Sequence, residues 1–303
     1  MLSLFTMIHP LVDACSVGVL VAGGMDWPRV IAYNALAFAL QLPLGLAMDE
    51  WPRFNRSGFF LGTGLVLSAA FLAALGLAGW SVLALACVGN AFFHLTAGKH
   101  VLETHGGRSG PLGLFIATGA LGLMAGQVGA ARAAEVCLPV FAAGLAILVA
   151  WTALRKWNGR NARGDVPEKA GDGSRLLPIA VILGLWGIVA WRSWAALTAG
   201  GRSAGGVALL MLLGAAVTFA GKVAGGYLAE WLGRWKVTAV SVAGSALLVF
   251  FCEPSWPLAW FVLLFVAQLA TGPVLSLLYD ATARRGGMAF GLNCFGLFTG
   301  SLA

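Results

Sequence analysis

Charged residues are scarce in this sequence of 303 residues: only 10% are Asp, Glu, Lys or Arg, whereas 59% are hydrophobic. A soluble domain carries roughly a quarter charged residues, so a soluble fold is excluded, because it could not bury this much apolar surface. The long apolar blocks also exclude a transmembrane barrel, whose strands alternate apolar and polar residues. The composition therefore predicts an all-α polytopic membrane protein, in which each helix needs about 20 apolar residues to cross the bilayer.

Catalytic and metal-binding motifs are also missing. The five cysteines form no CxxC pair and no cluster with histidine, which indicates packing roles rather than a metal site or a disulfide. No nucleotide-binding P-loop, GxSxG or HExxH motif is present, so a primary pump or an intramembrane hydrolase is not expected. The charges lie in the connections between apolar blocks, which indicates a lipid bilayer rather than a nucleic acid as partner. We therefore expect a protein that is not an enzyme and has no cofactor.

Eleven apolar blocks are predicted to cross the membrane as helices. Their bounds are 3–23, 28–48, 58–78, 80–99, 110–130, 135–154, 176–195, 205–229, 236–252, 256–279 and 287–303. Connections after the even-numbered spans contain most of the 19 Lys and Arg residues, so the positive-inside rule predicts a cytoplasmic N-terminus in the cell (inner) membrane. The polar stretch 155–175 is predicted to be a cytoplasmic linker between an N-terminal six-helix half, 1–154, and a C-terminal half, 176–303.

Two sequence echoes relate these predicted halves. The stretches 45–53 and 226–234 each begin with glycine, have an acid four residues on and end with arginine; the residues are Gly45, Asp49, Arg53, Gly226, Glu230 and Arg234. A second echo aligns 103–119 with 280–296. Glycine lets helices approach closely, and an acid and an arginine can pair or cap a helix end. We predict a conformational latch that forms in only one state of the bundle; the alternative is that these are solvated loop charges.

The second of these stretches resembles the loop motif of major facilitator superfamily transporters, Gly-x-Leu-Ala-Asp-x-x-Gly-Arg. The matching residues are Gly226, Leu228, Ala229, Glu230, Gly233 and Arg234, with Glu in place of Asp. The resemblance implies an MFS-like bundle of two pseudo-symmetric helical halves around a central cavity, working by alternating access. Family members usually have twelve spans, and no counterpart of the twelfth is found here, so we expect a short form with 11 spans. The family motifs that distinguish import from export are not matched.

Polar side chains inside the predicted spans are candidates for a coupling and substrate site, because burying them in a bilayer is costly. Asp13 lies near the middle of span one, and His9 precedes it by one turn on the same face. His94 and Asn90 share one stripe of span four in the same way. The other candidates are Gln41, Lys222, Gln127, Gln268 and Asn293. The alternative for the ionisable groups is a structural hydrogen bond between helices, or, for Lys222, snorkelling to the surface.

An arginine between two tryptophans near the end of span seven completes the polar inventory. Trp191, Arg192 and Trp194 are predicted to form part of an interfacial aromatic belt.

The sequence as a whole predicts a secondary active transporter that moves a small organic solute by alternating access, coupled to H⁺ through Asp13 and His9. The alternative is a non-transporting membrane sensor or assembly subunit of the same fold. The solute, the direction of transport and the oligomeric state stay open.

Overall fold

In the computed structural model, residues 1–51, 54–154, 179–203, 208–251 and 257–302 are described. These residues form twelve α-helices and one π-helical segment, without a strand. The elements are α1 (Leu2–Gly23), α2 (Trp27–Asn34), the π segment (Ala35–Ala39), α3 (Gln41–Glu50), α4 (Phe54–Ala74), α5 (Trp80–Thr104), α6 (Ser109–Leu154), α7 (Ile179–Ser203), α8 (Ala208–Leu232), α9 (Arg234–Phe251), α10 (Pro257–Gln268), α11 (Thr271–Ala281) and α12 (Gly286–Ser301). The predicted linker 155–175 and Arg53 lie outside the described residues.

The helices correspond to the predicted spans in chain order. Span two is built from α2, the π segment and α3, and span ten from α10 and α11. In the described part of the chain, nine helical segments are long and apolar enough to cross a membrane. α6 is counted as one of these nine segments. α12 is not among them, because its 16 residues are too few for the length required of a spanning helix.

The long helix α6 crosses the bilayer twice. Its 46 residues would extend roughly 70 Å if straight, more than twice the hydrocarbon thickness. The backbone leaves the helical region at Ala133, with φ −160° and ψ 73°. A Cβ atom placed on Gly129 would lie 3.2 Å from the sulfur of Cys137 and 3.5 Å from the ring of Phe141. Such contacts require the chain to fold back, so α6 is a helical hairpin that supplies spans five and six.

The outer surface of the bundle is apolar, and the interior holds polar side chains. Large hydrophobic residues are exposed on the outward faces of the helices, for example Ile147 at 68% and Phe251 at 81%. His9, Asp13 and Arg192 are instead at most 5% exposed. This distribution is the reverse of that in a soluble protein, and a lipid solvent accounts for it. The structure therefore confirms the predicted all-α polytopic membrane fold.

Helices of the two predicted halves contact each other through glycine. α3 packs on α12 where Gly45 meets the backbone of Gly287, and α8 packs on α6 where Gly226 meets Gly110. A Cβ atom on Gly226 would lie only 2.6 Å from the carbonyl oxygen of Ser109. These contacts lie at one end of the bundle, formed by Trp51 and the connections at 105–108, 233 and 282–285, which we call the latch end. The exact division into halves stays a prediction.

Candidate functional site

Polar stripes on two neighbouring helices meet inside the bundle. α1 carries His9 and Asp13 one turn apart, and α5 carries Asn90 and His94 one turn apart. All four residues are buried, with at most 7% of their surface exposed. Both histidines contact the carboxylate of Asp13: His9 Nε2 lies 3.2 Å from one oxygen and His94 Nε2 lies 3.3 Å from the other. We refer to His9, Asp13 and His94 as the His–Asp–His cluster.

Hydrogen bonds to backbone carbonyls determine where the two imidazole rings carry their protons. His9 Nδ1 lies 2.8 Å from the carbonyl oxygen of Phe115, and His94 Nδ1 lies 2.9 Å from that of Asn90. A carbonyl oxygen only accepts, so each Nδ1 donates. The two Nε2 atoms then face each other at 2.7 Å, and a hydrogen bond between them needs one further proton. The geometry is that of a cluster holding one positive charge beside the Asp13 carboxylate.

The surroundings of the cluster hold Asp13 in place. The amide nitrogen of Asn90 donates to Asp13 Oδ1 at 3.0 Å and to Ser16 Oγ at 3.3 Å. Gly119 of α6 lies directly against the cluster, where a Cβ atom would come within 2.6 Å of Asp13 Oδ2 and of His9 Nε2. In the described residues, the cluster is also the group whose ligand atoms could hold a metal ion, since they all lie within 4.8 Å of one another. A proton or a metal ion would satisfy the same lone pairs.

A cavity of about 290 Å³ opens beside the cluster. Lys222, Gln268 and Asn293 also line it, from α8, α10 and α12. Ala196 and Ser301 also line it, and both lie at the far ends of helices that begin near the latch end. The cavity therefore extends from the middle of the bundle away from the latch end.

Three of the predicted site residues do not line this cavity. Asn90 acts through its bond to Asp13 instead. Gln41 is fully buried and donates to the carbonyl oxygen of Ala37 at 2.6 Å, within its own span. Gln127 is half-buried on α6, beyond the cavity wall. The sequence pattern gave their depth in the membrane, but not the direction in which each helix face points.

Arg192 corrects the sequence-based prediction of an interfacial belt residue. It is buried, lines the cavity, and donates from Nη1 to Gln268 Oε1 at 2.9 Å and to Thr271 Oγ1 at 2.5 Å. Its neighbour Trp191 donates to Ser245 Oγ at 3.0 Å. The prediction was wrong because the flanking tryptophans fit a belt, whereas the helix turns the arginine between them towards α10 and α11. An arginine inside an apolar span was itself the sequence feature that could have identified it.

Asp49 joins the two predicted halves at the latch end. Its carboxylate accepts from the backbone N–H groups of Gly287 at 2.9 Å and Met288 at 2.8 Å, in the first turn of α12. Lys99 Nζ lies 2.5 Å from the same side chain and also pairs with Glu103 at 2.8 Å. A carboxylate at a helix N-terminus satisfies unpaired amides and interacts favourably with the helix dipole.

Glu230 makes the equivalent contacts from the other half. Its side chain accepts from the backbone N–H of Gly110 at 3.0 Å, in the first turn of α6, and from Arg108 Nη2 at 2.7 Å. Hydrogen bonding to Glu230 raises the pKa of the exposed Arg108 guanidinium. The two acids of the repeated motif therefore cap a helix in the opposite half, each beside a basic residue.

The motif arginine of the second copy stays within its own half. Gly233, with φ +96°, ends α8 in the left-handed region that glycine adopts without strain, and α9 begins at once with Arg234. Arg234 donates to Asp280 at 2.5 Å and to Ser276 Oγ at 2.9 Å, both on α11. Ser276 in turn donates to the carbonyl oxygen of Gly107, which extends the contact across the latch end.

Comparisons with known proteins agree on the fold. No protein-family model matches the sequence, and no curated protein gives a significant match. The structure is similar to that of the major facilitator superfamily transporter FucP in the outward conformation, with a TM-score of 0.63 and 13% identity over 98% of this chain and 89% of that one. It is similar to a variant of the fucose:proton symporter FucP of E. coli, with a TM-score of 0.62 and 12% identity, covering 99% and 88% of the two chains.

A third similar structure is a bacterial homologue of the iron transporter ferroportin in the outward-facing state. The TM-score is 0.54 and the identity 13%, over 99% of this chain and 89% of that one. Identities this low concern the fold alone, but the match extends over nearly the whole chain in all three cases. The chain is therefore a multi-pass membrane protein with the fold of the major facilitator superfamily.

Proposed function

We propose that this protein is a secondary active transporter that moves a small organic solute across the membrane by alternating access, coupled to protons. The observation that carries the proposal is the His–Asp–His cluster, buried in the middle of the bundle and open to a cavity. The transporters of similar structure support it through the fold. We further propose that the N-terminus is cytoplasmic, in the cell (inner) membrane, which makes the latch end cytoplasmic and the cavity outward-facing.

The cluster suits proton coupling because its positive charge is shared and replaceable. The extra proton lies between the two imidazole rings beside the Asp13 carboxylate, and its loss leaves two Nε2 lone pairs facing each other at 2.7 Å and the carboxylate without a compensating charge. The other ionisable groups around the cavity are Arg192 of α7, Lys222 of α8 and Cys294 of α12. A solute that enters the cavity changes the field at Asp13, so binding of solute and proton are linked.

The latch end supplies the second requirement, which is a closed gate that can open. Asp49 and Glu230 each bridge the two predicted halves through a helix N-terminus. When the halves rock apart at this end, those amides and carboxylates exchange their partners for water, at modest net cost. The structure then corresponds to one of the two end states, with access from the far side only.

The test is proton-coupled flux by the purified full chain. Charge displacement on a solid-supported membrane and a pH-sensitive dye inside proteoliposomes are recorded for anions, sugars, amino acids and amphiphiles at two pH values. We expect one solute class to move H⁺ in the wild type, and Asp13→Asn to abolish or uncouple that movement. Asp26→Asn is the matched control, because Asp26 lies at the exposed start of α2 and pairs, among the described residues, with Arg29 alone.

Three outcomes would contradict the proposal. Transport that stays fully pH-coupled in Asp13→Asn would remove the cluster from the coupling mechanism. Absence of flux for every class, together with co-purification of a stoichiometric partner, would favour the alternative of a non-transporting sensor or assembly subunit. Flux that depends on a transition metal rather than on pH would mean that the cluster binds a metal ion in place of the proton.

A further inference from the structure

We propose that the solute is a small organic carboxylate and that Arg192 and Lys222 bind its carboxylate group in the cavity. This inference rests on the proposed transport function and names the chemical class of its substrate. Both cations line the same cavity as the His–Asp–His cluster, Arg192 from α7 and Lys222 from α8.

The first argument is that neither cation forms an ion pair with a carboxylate of the described residues. In the described part of the chain, no carboxylate oxygen lies within 4.0 Å of Arg192 or Lys222. Arg192 is only 5% exposed, and a buried cation without a counter-charge is costly. Two such cations line one cavity despite the energetic cost of burying them. This indicates that an anion from outside the chain supplies the missing negative charge.

The second argument is the balance of charge around the cavity. Among the described residues, Asp13 is the only carboxylate that lines it. Its charge is already balanced by the positive charge of the two histidines, which lie 3.2 and 3.3 Å from its oxygens. The cavity is therefore positive where Arg192 of α7 and Lys222 of α8 line it, and an anion is the solute that such a field attracts.

The third argument is the geometry of the hydrogen-bond donors. Within the described residues, both hydrogen bonds of Arg192 use Nη1, to Gln268 and Thr271, so the N–H groups of Nε and Nη2 remain for a ligand. Lys222 makes one long bond, 3.4 Å from Nζ to the carbonyl oxygen of Ile116. A fixed guanidinium fork beside a second cation matches the two oxygens of a carboxylate.

The remaining lining residues indicate an organic and hydroxylated solute of small size. Among the described residues, the side-chain oxygen of Asn293 has no hydrogen-bond partner, and a solute hydroxyl could donate to it. Phe38, Ile116 and Leu297 supply apolar wall, against which a carbon skeleton packs better than a bare inorganic ion does. The volume of about 290 Å³ restricts the solute to a small molecule.

The experiment measures binding directly, so that it does not depend on transport. The purified full chain in lipid nanodiscs is titrated with gluconate and glucose, with lactate and propane-1,2-diol, and with succinate, phosphate and sulfate, and the shift in unfolding temperature is recorded. We expect at least one carboxylate to stabilise the protein, and its neutral counterpart to have no effect. Arg192→Gln and Lys222→Gln should each lower the affinity of the protein for that carboxylate by roughly 10- to 100-fold.

Matched controls separate the site from general electrostatics. Arg132→Gln and Lys236→Gln remove the same charges at exposed positions and should leave the affinity unchanged. Arg192→Lys keeps the charge and loses the fork, so it should recover only part of the affinity. If Arg192→Gln fails to fold, Lys222→Gln and the preference of the wild type for acid over neutral counterpart decide the question.

The outcomes distinguish this inference from the proposed function. Stabilisation by neutral compounds alone, by phosphate or sulfate alone, or by no member of the panel would overturn the inference. A carboxylate that binds through Arg192 and Lys222 but is not transported would support the inference and refute the transport proposal. Proton-coupled flux of a neutral solute alone would support the transport proposal and refute the inference.

Discussion

Asp49→Asn should open the latch end without disturbing the rest of the fold. The carboxylate accepts two backbone N–H groups from α12 and is only 5% exposed at its side chain. Asparagine has nearly the same shape, but it offers one acceptor oxygen in place of two and carries no charge. Lys99 keeps a partner in Glu103 at 2.8 Å, so the substitution does not leave a buried cation unpaired.

The expected magnitude follows from the bonds that are lost. One charge-assisted hydrogen bond to an amide disappears and the other becomes neutral, which costs the closed state about 2 kcal/mol. The ratio of latched to open molecules should therefore fall roughly 30-fold. Spin labels at positions 57 and 236, both exposed at the latch end, would report this as a second, longer distance in pulsed electron paramagnetic resonance.

The neighbouring acid provides the control. Glu50 pairs with Arg285 at 2.5 Å, but its side chain is 68% exposed, and such surface pairs contribute at most about 1 kcal/mol. Glu50→Gln should leave the distance distribution close to that of the wild type. An unchanged distribution in Asp49→Asn, or equal effects of the two substitutions, would refute the reasoning that buried capping of α12 holds this end closed.

Three other outcomes are expected from the same contacts. Glu230→Gln should shift the same distance in the same direction, by about 1 kcal/mol or roughly fivefold, because its partner Arg108 is 66% exposed; no shift would mean that the two motif copies are not equivalent. Gly119→Val should lower the unfolding temperature and abolish coupling, because a side chain there would collide with the cluster; a stable, coupled variant would contradict the packing. Proton coupling should be insensitive to EDTA, and activity that is lost on chelation and restored by Zn²⁺ would assign the cluster to a metal ion.

The sequence predicts the helices well because the bilayer imposes a simple rule on them. Each span must be apolar and long enough to cross, and the order of spans follows from the chain. The kink of α6 at Ala133 falls between predicted spans five and six for the same reason. The break of span two by the π segment was not predicted, because its residues, 35–39, are as apolar as their neighbours.

The site was only partly predictable because its contacts join distant parts of the chain. The spacing of His9 and Asp13, and that of Asn90 and His94, gave two polar stripes on two helices. Their meeting depends on which faces of α1 and α5 turn towards each other, and helical periodicity alone does not determine this. Arg192 was assigned wrongly because its neighbours favoured the membrane surface.

At the latch end, Asp49 accepts hydrogen bonds from backbone amides of α12, and this makes the two sides of that contact unequal under mutation. Asp49 binds amide hydrogens that every residue except proline possesses, so position 288 can accept most substitutions while position 49 cannot. Substitutions that accumulate at the helix end in one half therefore do not require a compensating substitution in the other half. Matching motifs can persist in both halves while the helix ends they hold diverge, and pairs of residues that vary together would be poor guides to this gate.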